Sequence, residues 1–100
     1  DVNYLFFDVL PALAPGVYIH VHDVFPAFEY PWAWVEEGRA WTEDYLLRAF
    51  LQFNDTFEIV LWPNLLAATD PTRLYAHFPL AEKNAGGAIY LRRRPLATER

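Results

Sequence analysis

The residues best suited to chemistry are His20, His22 and Asp23, in the run His20-Val21-His22-Asp23. Residues two apart on a strand share a face, which puts the imidazoles about 6.6 Å apart at roughly 3.3 Å per residue. Two imidazoles and a carboxylate form a donor set for a metal ion. The same group suits proton transfer, with His22 as general base and Asp23 beside it. A structural use is equally open, with His20 packed in the core and Asp23 closing a loop. A second group is aromatic: Tyr30, Trp32, Trp34 and Trp41 crowd one segment, with Phe25 before them and Tyr45 after. They are either a pocket wall for a flat or apolar substrate or the core of their own loop. His77, between Tyr75 and Phe78, reads as a structural histidine. Glu36-Glu37, beside Gly38 and Arg39, reads as a solvated turn.

What is missing narrows the chemistry. The 100 residues contain no Cys, no Met and no Ser. Without Cys there is no disulfide framework, thiolate metal site or cysteine nucleophile. Without Ser there is no serine hydrolase. The four glycines, Gly16, Gly38, Gly86 and Gly87, are not at G-x-G spacing, so no loop can cradle a phosphate or dinucleotide. A net charge of −5 argues against a nucleic-acid binder. The one basic run, Arg92-Arg93-Arg94, reads as a solvated strand end that discourages edge pairing. Apolar residues make up 54%, too many for disorder. Prolines interrupt every apolar stretch short of the roughly 20 residues a membrane span needs, so no membrane partner is expected. With no secretory signal visible, a cytoplasmic protein is the default expectation. The chain opens on Asp1 without an initiator Met and reads as a segment of something longer, a single fragment over residues 1–100.

The elements that must position these residues follow from periodicity. Val2, Leu5, Phe6, Val9, Leu10 and Leu13 fall on one helical face, and Pro11 should kink or end that helix. Pro15-Gly16 suits a type II turn. Residues 17–22 read as a strand buried on both faces. Residues 23–41 read as a long loop without regular structure, ordered by its aromatics. Thr42 reads as an N-cap, with Glu43 and Asp44 at the positive end of a helix. In that helix Leu46, Leu47, Phe50, Leu51 and Phe53 are the apolar face. Asp44, Arg48, Gln52 and Asp55 are the wet stripe, with Asp44 and Arg48 spaced as an i,i+4 pair. Asn54-Asp55-Thr56 ends it. A second strand runs over 57–62 and stops at Pro63. The connector after it should hold a short helix, with Asp70 as N-cap before Pro71. Gly86-Gly87 breaks the chain before a third strand over 88–93.

Leu10-Pro11-Ala12-Leu13-Ala14-Pro15-Gly16-Val17, followed by Ile19-His20-Val21-His22-Asp23-Val24-Phe25, resembles the second half of class I S-adenosylmethionine-dependent methyltransferases, where an L-x-P-G turn precedes a strand ending in Asp. Asn3-Tyr4-Leu5-Phe6, Phe28-Glu29-Tyr30-Pro31, Trp41-Thr42-Glu43, Tyr45-Leu46-Leu47, Ala49-Phe50-Leu51 and Phe53-Asn54 narrow the resemblance to the subgroup called methyltransferase domain 24. It covers the chain to about Trp62, and the last strand more loosely. The resemblance implies an α/β fold: the carboxyl half of a Rossmann-like seven-stranded sheet. About three strands belong to this chain, two parallel and the last antiparallel, with flanking helices. S-adenosylmethionine would be held by a glycine-rich turn and an acidic residue upstream, so this chain alone would bind no cofactor and be inactive. The parent would methylate a small acceptor. His22 and Asp23 would be catalytic, and Phe25, Tyr30, Trp41 and Tyr45 would contact the acceptor. In related metal-dependent O-methyltransferases the strand-ending Asp is a ligand followed by Asn or Asp. Here Val24 stands in that place, and no metal is assigned. The missing amino-terminal half is the implied partner, and the bare strand edge implies self-association. A metal-dependent enzyme built on His20, His22 and Asp23, and a non-catalytic interaction module, are the alternatives.

Overall fold

A computed structural model describes residues 2–38 and 43–95. The described fold is α/β: three strands, β1 (Tyr18–His22), β2 (Phe57–Leu61) and β3 (Ala88–Arg93), with helices on the sheet's faces. The order is β1-β3-β2, and both pairings are antiparallel. Hence β1 and β2 run in the same direction, with β3 reversed between them.

The first helical stretch is not one regular helix. It opens as α1 (Val2–Tyr4), widens into a π-wound turn over Leu5–Val9 and tightens into a 3-10 turn over Leu10–Ala12, with Pro11 in the tightened part. Phe6 and Leu10 still reach the core. The Pro15-Gly16 turn forms as expected. Val17 N–H donates to the Ala14 carbonyl at 3.3 Å, and Gly16 has φ +88°, which a Cβ would oppose.

Val21 pairs with Ile89 and Ile19 with Leu91, and this face carries the core, with Ile89 and Leu91 fully buried. Phe6, Leu10, Leu47 and Phe57 close over it. The expectation that residues 17–22 are buried on both faces is corrected: Tyr18, His20 and His22 are exposed. Among the described residues, no helix covers their face at β1. On the β2 side α4 (Pro63–Thr69) and α5 (Pro71–His77) do cover it, where Leu61, Leu74 and Tyr90 line a shared cleft. The connector thus holds two helices instead of one. Asp70 caps α5 as expected, accepting from the Arg73 N–H at 3.4 Å.

The arginine run is corrected as well. β3 is central, so it has no edge to protect. Arg92 pairs with Glu58 across the β2–β3 ladder, and Arg94 reaches the same carboxylate at 3.4 Å. Arg93 donates to the Leu13 carbonyl at 3.1 Å and lies over the Phe57 ring. The three arginines therefore tie β3 to β2 and to the stretch before β1.

Of the expected loop, the described residues 23–38 are more regular than expected. They contain a 3-10 turn at Pro26–Phe28 and α2 (Trp32–Glu36). Glu36 and Glu37 are exposed, as a solvated turn requires. α3 (Glu43–Leu51) comes next; the expected Thr42 cap lies outside the described residues. Phe53 is not on its buried face: it is fully exposed with φ +55°, past the helix end. Asn54 performs the termination, donating to the Phe50 carbonyl and accepting from Thr56 N–H, each at 3.0 Å. Among the described residues, no helix is long and apolar enough to cross a membrane.

Candidate functional site

β1 ends at His22, and the chain turns sharply at Asp23 with φ +59°, a left-handed conformation that Asp tolerates better than most residues. Two hydrogen bonds then anchor Val24. Its N–H donates to the Gly87 carbonyl at 2.8 Å, and the Trp62 indole N–H donates to the Val24 carbonyl at 2.9 Å. Val24 is fully buried. A Cβ at Gly87 would stand 3.2 Å from the Phe25 ring, so a side chain there would push that ring by a few tenths of an ångström.

The segment after Val24 folds back over the start of α3. Tyr30 accepts a hydrogen bond from the Asp44 N–H at 2.9 Å and donates to Glu43 Oε2 at 3.4 Å. The first of these satisfies one of the amides a helix N-terminus leaves free. Tyr45 donates to Glu29 at 3.0 Å. The result is a cleft of about 290 Å³, lined by Val21, His22, Asp23, Tyr30, Glu43 and Asp44.

The sequence-derived candidates divide. His22, Asp23 and Tyr30 line this cleft. Phe25 packs edge-on against Trp34 at 5.4 Å, and Tyr45 edge-on against Tyr30 at 5.5 Å, so both support the wall from behind. Tyr30 and Trp34 stack at 6.1 Å. Phe25, Tyr30 and Trp34 thus pack on one another, whereas Trp32 is exposed. Trp41 lies outside the described residues. His20 is not a core histidine; it is exposed, its ring between those of His22 at 4.4 Å and Tyr90 at 4.8 Å. His77 ends α5, away from the cleft. Among the described residues, no three His, Asp or Glu side chains are grouped to hold a metal ion, so His20, His22 and Asp23 do not converge on one.

Asp44 is the residue that periodicity misplaced. It is 1% exposed rather than on a wet stripe, and neither carboxylate oxygen has a hydrogen-bond partner, so Arg48 does not pair with it. Burial pushes its pKa up to about 6. The nearby Phe25 N–H and Tyr30 hydroxyl pull it down, and the Glu43 and Asp23 charges push it further up. Burial also raises the Tyr30 phenol well above its ordinary range. A signal was present in the sequence. Asp44 precedes Leu47 by three, which puts it on the same helical face as the fully buried centre of α3.

The arrangement therefore gathers three carboxylates, an imidazole and a phenol at the carboxyl end of β1. No protein-family model, no curated protein and no solved structure matches the chain.

Proposed function

We propose that this chain is the carboxyl half of a Rossmann-like class I methyltransferase domain, whose parent enzyme transfers a methyl group from S-adenosylmethionine to a small acceptor. The observation that carries the reading is strand direction. β1 and β2 are co-directional and the last strand is antiparallel to both, as the resemblance requires. The open edge of β1 supports it too. A groove of about 310 Å³ runs along the open edge of β1, lined by Val2, Leu5, Phe6, Ile19 and Val21 among others. A further strand and its helix would cover it.

The residues of this chain do not fit the cofactor. No glycine-rich turn is present, and no acidic residue stands where a ribose would follow one. In this reading the cofactor belongs to the upstream half. This half supplies the acceptor cleft, with His22 at its mouth as the base and Asp23, which follows the strand's last residue, as its orienter.

The sequence encoded upstream of Asp1 tests the fold: a strand leading into a G-x-G turn is expected, and its absence overturns the reading. In the whole enzyme, His22→Ala and Asp23→Asn should each lower turnover by roughly 10²–10⁴-fold with little change in melting temperature. Full activity in both, or unfolding of both, removes the site assignment.

A further inference from the structure

The cleft poses a second question, which is what its buried carboxylate binds. Asp44 lines the cleft, is 1% exposed, and has both oxygens unpartnered. A buried polar group left unpaired costs about 1–3 kcal/mol, and more when charged. Asp23 and Glu43 stand on the same cleft, and among the described residues no Lys or Arg lines it. Hydrogen-bond donors of positive charge are what such a site lacks. An inorganic ion does not fit, since the three acids are not grouped as a metal site. The remaining wall is Val21, His22 and Tyr30; the Tyr30 ring is held by Trp34 and Tyr45, and its π face favours a cation or a flat apolar body. The volume, about 290 Å³, is at the low end of small-molecule pockets, roughly 300–1,000 Å³.

We infer that this cleft is a binding site for the primary ammonium group of a small organic amine, with Asp44 as its direct partner, Glu43 and Asp23 as flanking charges, and Tyr30 packing against the ligand's apolar body. The inference rests on the methyltransferase reading only in making that amine the acceptor. Binding itself needs neither cofactor nor upstream residues.

The test titrates phenethylammonium into the full encoded chain by calorimetry, with phenethyl alcohol as the neutral probe of similar shape. Saturable binding of the ammonium, at least tenfold tighter than the alcohol, is expected. Asp44→Asn should weaken it at least tenfold. Glu43→Gln, at a half-exposed position that tolerates the change, should weaken it several-fold. Equal binding of the two probes, no saturation in the millimolar range, or ammonium affinity unchanged in Glu43→Gln and in a folded Asp44→Asn each overturns the inference. Because the G-x-G test concerns other residues, either idea can fail while the other stands.

Discussion

Replacing Asp44 with Asn should stabilise this protein at neutral pH, although it removes a charged residue from a helix N-terminus. An acid at that position ordinarily gains about 0.3–1 kcal/mol from the helix dipole. Here burial opposes it. The pKa of Asp44 rises from 3.8 to about 6 on folding, burial being the largest cause. At about 1.4 kcal/mol per pH unit, the gap is about 3 kcal/mol. The sign comes from proton counting. Between pH 3.8 and 6 the folded state holds the proton more often than the unfolded state, so stability falls as pH rises through this window. Above it, the full cost remains. Asn keeps the shape, carries no charge, and can donate toward Glu43 or Asp23. The side chain is 1% exposed, so little solvent screening reduces the figure. The new amide is itself imperfectly paired, which brings the expected gain down to about 1–3 kcal/mol at about pH 7.5. Urea denaturation of both proteins from about pH 3.5 to 7.5 measures it. The two curves should converge near pH 3.5 and separate above about pH 5. If Asp44→Asn is the less stable protein at the top of that range, or the difference is the same at every pH, then Asp44 is not an uncompensated buried carboxylate.

Two further outcomes are expected. Trp62→Phe keeps an aromatic ring beside Phe28 but leaves the buried Val24 carbonyl without its donor; a loss of about 1–3 kcal/mol in urea denaturation is expected, and a loss below about 0.5 kcal/mol would mean that water replaces the indole. The chain on its own should be a dimer or larger in light scattering at low micromolar concentration, through the open β1 edge near Ile19 and Val21, because an unpaired strand beside apolar surface invites pairing; a well-behaved monomer would refute the half-sheet reading.

How much of this was legible in the sequence depended on the range of the force involved. The Pro15-Gly16 turn, the Asp70 cap, the Asn54 termination and the three strands were readable, since each is decided by backbone geometry and hydrogen bonds within a few residues. The placement of His22 and Asp23 at a strand's end was readable for the same reason. Alternation in residues 17–22 was misread as two buried faces, because a strand of apolar and aromatic residues looks alike whether a helix covers its second face or not. The arginine run was misread because pairing order is not local: only the insertion of β3 between β1 and β2 turns Arg92 and Arg94 toward Glu58.

Asp44 marks the boundary most clearly. Helical periodicity gave it two neighbours, Arg48 on a polar stripe and Leu47 on the apolar face, and composition favoured the first. The tertiary structure chose the second, because Trp62 and Gly87 anchor Val24 and thereby bring the segment carrying Tyr30 down over the start of α3. The residue types at the cleft are a property of the sequence. The loss of water around Asp44, which gives that carboxylate its unusual proton affinity, arises only when three segments distant along the chain close around it.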